Sequence, residues 1–231
     1  MRWSVLDGGY EFAHTGLADD ADVRDFFKIL REHVPRVWVT QAVIALCVLI
    51  WLAQVANGID PTAPAVSALL AWGSNQPGLS LGAQPWRLLS AGFLHGGILH
   101  LALNMYVLWH LGMLGERLFG HRSYLAVYLA AIVGGFIASA AWNPTGPSVG
   151  ASGGIFGVCG AILGFVLMRR NALPRQAFLH VGRTMGFFVV ANLGLTLWLS
   201  AALPIDNAGH VGGLIVGFLA GLFLSRELPV D

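Results

Sequence analysis

The chain has 231 residues, of which 56% are apolar and 11% charged, with a formal net charge of +1 and a mean hydropathy of +0.68. Soluble domains carry roughly 25% charged residues, so this composition excludes a soluble globular enzyme, a disordered chain and a disulfide-stapled secreted module. The near-zero charge leaves no basic field for nucleic acid.

Residues 1–36 carry twelve charges and no continuous apolar core. No cleavable signal peptide is read there, and the first apolar span is expected to direct insertion. Within this cytoplasmic segment, Val23, Phe26, Phe27, Leu30 and Val34 recur at helical spacing between charges. That pattern predicts a short amphipathic helix, opened by Asp22, closed by Pro35 and lying against the membrane or the bundle.

Crossing the hydrocarbon core takes about 20 mostly apolar residues. Six stretches approach that length: 37–56, 96–114, 124–142, 150–168, 184–203 and 208–225. Backbone groups in lipid must be paired within their own segment, so all six are read as helices of an all-α membrane domain, 37–228. The long connection 57–95 is Pro/Gly-rich with apolar stretches too short to span, 66–72 and 86–89. It is expected to lie in the outer interface, with Trp72 and Trp86 at headgroup level. Twelve of the 13 Lys and Arg fall in the head, after spans two and four, and in the tail, with Arg87 alone on the other side. The positive-inside rule then predicts that both termini are cytoplasmic. Cys47 and Cys159 both lie in apolar runs and are read as small hydrophobes.

Strongly polar residues inside membrane spans are costly and mark candidate sites. Span two carries His100, Asn104 and, deeper, His110, with His95 just before it; span four carries Ser152; span five Asn192; span six His210. Spans two, four and six all run from outside to inside, so Ser152 and His210, each about two residues in, sit at one shallow depth. His100 starts slightly deeper, with Asn104 one turn below it on the same face. A serine beside an imidazole is the minimal activated nucleophile, and Asn and His side chains can donate to a developing oxyanion. Glycines after Ser152, and Gly213, Gly217 and Gly221 after His210, let spans four and six approach closely. Taken singly, Ser152 also reads as a packing residue, and His95, His100 and His210 could converge on a metal. No H-E-x-x-H or Cys cluster accompanies them, so no metal or cofactor is expected. His110 reads as a satisfied interior residue, Asn192 as an interhelical hydrogen-bonding group, and Glu116 and Arg117 as a structural tie. Asp206, four residues before His210, reads as a helix cap rather than a third catalytic member.

Four motifs in order resemble the rhomboid family of intramembrane serine proteases: Trp86-Arg87 in the outer loop; His95, His100 and Asn104 followed by Gly112, Glu116 and Gly120; Gly150-Ala151-Ser152-Gly153; and Gly209-His210-Val211-Gly212-Gly213 with Gly217. The resemblance covers about residues 37–225 and implies a six-transmembrane-helix rhomboid-like bundle. It also implies Ser152 as nucleophile, His210 as general base, and an oxyanion site formed by the Ser152 N–H with His100 and Asn104. Where many members have a tyrosine stacked on the base, this chain has Phe156, which keeps the ring face and loses the hydroxyl. The expected substrates are single-span transmembrane proteins that enter from the lipid bilayer and unwind at the cleavage site. Residues 204–208 and the outer loop are expected to frame and cap the cavity. The alternative is a non-catalytic rhomboid-like protein that binds membrane clients, which typically lacks the serine or the histidine. The charge bias fits a bacterial inner membrane, and the oligomeric state is not readable.

Overall fold

The computed structural model describes residues 4–6, 9–11, 20–143, 145–199 and 205–227. An antiparallel hairpin, β1 (Ser4–Leu6) and β2 (Gly9–Glu11), precedes α1 (Asp20–His33). The helix α1 begins two residues before the expected cap, so Asp22 lies inside its first turn, where a carboxylate still favours the positive end of the helix. Its apolar face lies against the bundle: Phe26 is buried, and the Phe27 ring meets His180 edge-on at 6.0 Å.

The next helix, α2 (Trp38–Ala56), starts with backbone N–H groups that have no intrahelical partner. Glu116 supplies what they lack. Its fully buried carboxylate accepts the N–H groups of Val39 (3.0 Å) and Thr40 (2.8 Å) and the Thr40 hydroxyl (2.6 Å). The His121 ring closes the cluster, with Nδ1 2.6 Å from Glu116 Oε1. The expected tie at Glu116 is thus a cap on a helix 76 residues away in sequence.

The outer connection carries three short helices, α3 (Val66–Ala71), α4 (Pro77–Ser80) and α5 (Arg87–Ser90), then a 3-10 turn, Ala91–Phe93. At its start the exposed Asp60 carboxylate accepts the Ala63 N–H and both donors of Thr62, which holds it below the usual carboxylate range. Trp86 is 54% exposed, whereas Trp72 is half-buried. Arg87 turns inward. Its guanidinium donates to the carbonyls of Leu70 (2.8 Å) and Ser74 (3.0 Å) and to Gln84 Oε1 (2.6 Å), stapling α3 to α5.

Among the described residues, four helices are long and apolar enough to cross a membrane: Trp38–Ala56, Ile98–Trp142, Arg175–Leu199 and Asn207–Leu224. The second of these, α6 (Ile98–Trp142), is continuous except at Gly120, whose φ of 71° and ψ of 166° leave the helix. A straight helix would separate residues 112 and 124 by about 18 Å. Instead, a β-carbon at Gly112 would lie 2.7 Å from the Tyr124 hydroxyl, so the two halves fold back on each other. Glycine makes that one-residue reversal cheap, because it adopts positive φ without a Cβ clash. The expected separating segment, 115–123, is therefore helix on either side of a single hinge.

The remaining helices are α7 (Ser152–Met168), α8 (Arg175–Leu199) and α9 (Asn207–Glu227). The helix α8 starts nine residues before the expected span at 184. Its buried stripe, Ala177, Val181 and Met185, continues back through the charged stretch, while Arg175 and Arg183 stay exposed on the other side. Asn192, expected to bond across helices, donates to the Phe188 carbonyl of its own helix at 2.9 Å. The core lies where α6, α7 and α9 meet, around Tyr124, Tyr128, Ile132, Val158 and Ile162.

Candidate active site

Two helix starts build the site. Ser152 is the first residue of α7, behind Ala151 at the N-cap. The first N–H groups of a helix have no intrahelical acceptor and carry the positive end of its dipole. His210 lies in the first turn of α9. Asp206 precedes that helix and accepts the Gly209 N–H at 2.9 Å, the bond of an N-cap carboxylate. Thr196 of α8 holds the same corner through its hydroxyl, 2.6 Å from Asn207 Oδ1.

Close packing brings the two starts together. A β-carbon at Gly213, Gly217 or Gly221 of α9 would overlap the backbone carbonyls of Gly153, Gly157 or Ala161 of α7. Backbones in such contact leave one side chain's reach between them, and His210 Nε2 lies 2.9 Å from Ser152 Oγ. The other ring nitrogen, Nδ1, has no hydrogen-bond partner among the described residues. The Phe156 ring lies flat on the imidazole, with centroids 4.6 Å apart and planes 12° apart.

Gly150 shapes the approach from the other side. Its φ of +131° suits glycine, and a β-carbon there would sit 2.8 Å from Cε1 and 3.0 Å from Nε2 of His100. The same β-carbon would lie 3.7 Å from Ser152 Oγ, so the His100 ring stands against the loop beside the serine. His100 Nδ1 accepts the Gly96 N–H at 3.2 Å, which leaves Nε2 facing Gly150. Asn104, buried one turn further along, donates through Nδ2 to the His100 carbonyl at 2.9 Å and keeps a second N–H. His95 is fully buried, its ring 5.2 Å from that of His100. A small cleft lined by Ile132, Phe136, Val149, Gly150, Ser152 and His210 opens beside the pair.

Other expected groups lie elsewhere. His110 is exposed and packs edge-on against Tyr106 at 4.8 Å, outside the bundle. Residues 201–204 lie outside the described residues, so the expected cap at 204–208 is described only from 205 onward. Among the described residues no three His, Cys, Asp or Glu side chains are grouped to hold a metal ion. The sequence reading missed Gly134 and Gly135. A β-carbon at Gly135 would lie 2.8 Å from the Gly209 carbonyl, and one at Gly134 would lie 2.5 Å from Val216, so this pair lets α6 dock under the serine and histidine. A doublet of small residues in span three was the available signal.

The rhomboid domain family model matches residues 82–227. The chain is 39% identical over 185 residues to rhomboid protease GluP of Bacillus subtilis, covering 80% of this chain and 34% of that protein. It is 39% identical over 144 residues to RHOMBOID-like protein 4 of Arabidopsis thaliana, covering 62% of this chain and 35% of that one. It is 30% identical over 211 residues to Rhomboid-like protease 1 of Toxoplasma gondii, covering 88% and 69% respectively. The chain thus spans about a third of the length of the first two relatives. With its long apolar helices and the match across α5 to α9, the chain belongs to the rhomboid family of multi-pass integral membrane proteins.

Proposed function

We propose that this chain is an intramembrane serine endopeptidase that cleaves single-span transmembrane proteins with a Ser152–His210 dyad. The observation that carries the reading is the 2.9 Å separation of Ser152 Oγ and His210 Nε2. As Oγ attacks a peptide carbonyl, its proton passes to Nε2. The oxyanion then forms in front of the Ser152 N–H at the α7 N-terminus, with His100 and Asn104 as side-chain donors. The imidazolium returns the proton to the leaving amine, and a water repeats the cycle on the acyl-enzyme with His210 again as base. Gly150 and Gly153 keep the loop and helix start open to a substrate backbone. Phe156 orients the imidazole, Gly213 and Gly217 hold α9 on α7, and His95 backs His100. Trp86 and Arg87 brace the outer frame. No metal or cofactor takes part.

The topology proposed is six spans with both termini cytoplasmic, the segment 1–36 outside the membrane domain 37–228, and a bacterial inner membrane as the location. The fold-back at Gly120 supports counting α6 twice, and the apolar α7 supplies the remaining span. Seventeen residues of α7 rise about 25 Å against a core of about 30 Å. A helix that short ends below the outer surface, which sinks Ser152 and requires a water-filled cleft above it. A substrate helix must unwind there, because helical carbonyls are already hydrogen-bonded.

The test is cleavage of a reporter with one transmembrane segment by the purified protein, beside the Ser152→Ala variant. Equal activity would leave the client-binding reading in its place.

A further inference from the structure

The loop that delivers Ser152 has little structure of its own. Residues 145–151, between α6 and α7, belong to no helix, yet Gly150 must hold its positive φ and the α7 N-terminus must face one point. An outside element holds them. Asn75, in the outer connection between α3 and α4, is fully buried and pairs with Ser148 through both backbone bonds, N–H to carbonyl at 3.0 Å and 2.9 Å. Its side chain repeats the contact, Nδ2 donating to Ser148 Oγ at 3.0 Å. Ser148 Oγ lies in turn 3.0 Å from Ser139 Oγ on the second half of α6. Two residues on, the Gly150 N–H donates to the Ala91 carbonyl at 3.0 Å. Only Ala151 then separates this anchored stretch from Ser152.

The anchor is itself fixed. Arg87 holds the Ser74 carbonyl at 3.0 Å, immediately before Asn75, and the Gln76 N–H donates to Ser80 Oγ at 3.0 Å immediately after it. A continuous set of buried and part-buried bonds therefore runs from Arg87 through Ser74 and Asn75 to Ser148, and on to the loop before the nucleophile. Buried groups are expensive to leave unpaired, so these bonds resist displacement of the loop.

We propose that Asn75 and Ser148 are positioning residues for the reaction, fixing the Ser152 N–H and Oγ against the incoming carbonyl. The inference rests on the serine-protease reading. Neither side chain reaches substrate; they act by setting where the α7 N-terminus stands. Misplacement by about an ångström can cost 10²-fold, so loosening one tether should cost about tenfold.

The experiment uses the full chain in detergent, with active sites titrated by a fluorophosphonate so that rates refer to folded, labelled enzyme. Asn75→Ala and Ser148→Ala are each expected to lower kcat about tenfold while KM stays within about twofold, because only transition-state positioning is lost. The rate of Ser152 labelling should fall with kcat, and the double variant should lose no more than either single one. An unchanged kcat per labelled site, a loss confined to KM, or losses that multiply would overturn the assignment. Should Asn75→Ala not fold, Ser148→Ala at a half-buried loop position carries the same comparison. A wild-type chain that takes no label at Ser152 would instead overturn the protease reading, and this inference with it.

Discussion

Phe156 lies parallel to the imidazole of His210, with ring planes 12° apart and centroids 4.6 Å apart. Phe156 also meets Phe188 of α8, with ring centroids 5.4 Å apart and planes tilted by 44°. A ring packed against both a neighbouring helix and His210 limits imidazole rotation without offering a hydrogen bond. Removing the stack in Phe156→Ala should slow fluorophosphonate labelling of Ser152 about fivefold, in line with an aromatic contact worth about 1 kcal/mol. Phe156→Tyr should react at close to the wild-type rate. A large gain in Phe156→Tyr would show that a hydroxyl at this position serves the reaction and that stacking alone is an incomplete account.

Asp206 spends its carboxylate on the Gly209 N–H at the start of α9, and His210 Nδ1 has no partner among the described residues. Asparagine caps helices about as well as aspartate, so Asp206→Asn should retain most of the activity in the reporter assay. Asp206→Ala should lower stability by about 1 kcal/mol and leave kcat within a few fold. A drop of about 10⁴ in kcat for Asp206→Asn, the size seen when a triad carboxylate is neutralised, would show a triad.

The glycines of α9 differ sharply from those of α8. A β-carbon at Gly217 would overlap the Gly157 carbonyl, whereas one at Gly182, Gly186 or Gly194 would meet nothing within 4 Å. Gly217→Ala should therefore force α9 off α7, costing about 1–3 kcal/mol as overpacking does and removing labelling at Ser152. Gly194→Ala should be neutral or slightly stabilising, since alanine is the better helix former. Thermal unfolding in detergent reads both variants, and equal effects would contradict the packing described.

Much of this was legible in the residues. Ser152 and His210 could be paired from sequence because equal depth on parallel spans and four-residue glycine spacing are local patterns that hydropathy exposes. The polar stretch 115–123 marked a break between two spans, but its confinement to Gly120 was not legible, because nothing in the charges there shows that helix runs up to one glycine from both sides. Glu116 read as a tie but with an unknown partner, since its acceptor oxygens serve a helix start 76 residues away. Asn75 and Ser148 escaped for the same reason: a bridge between two irregular loops has no periodicity. The early start of α8 was hidden by Arg175 and Arg183, whose charges lower mean hydropathy although both project away from the packed stripe.

Glu116 offers a test of fold stability away from the chemistry. Glu116→Ala would leave the Val39 N–H, the Thr40 N–H and the Thr40 hydroxyl unpaired where burial is complete. A buried donor left unpaired costs about 1–3 kcal/mol, so with three of them the variant should unfold at much lower temperature or fail to fold. Glu116→Gln keeps one acceptor oxygen and should fall between wild type and Glu116→Ala. An unchanged melting profile for Glu116→Ala would mean that the cap contributes nothing to stability.

The central claim is that Ser152 is made nucleophilic by His210. Reaction of the purified chain with a fluorophosphonate, followed by identification of the modified peptide by mass spectrometry, measures it most directly. The account predicts a phosphonyl group on Ser152, with labelling lost equally in Ser152→Ala and His210→Ala because the two residues act as one unit. Labelling that persists undiminished in His210→Ala, or that falls on a different residue, would contradict it.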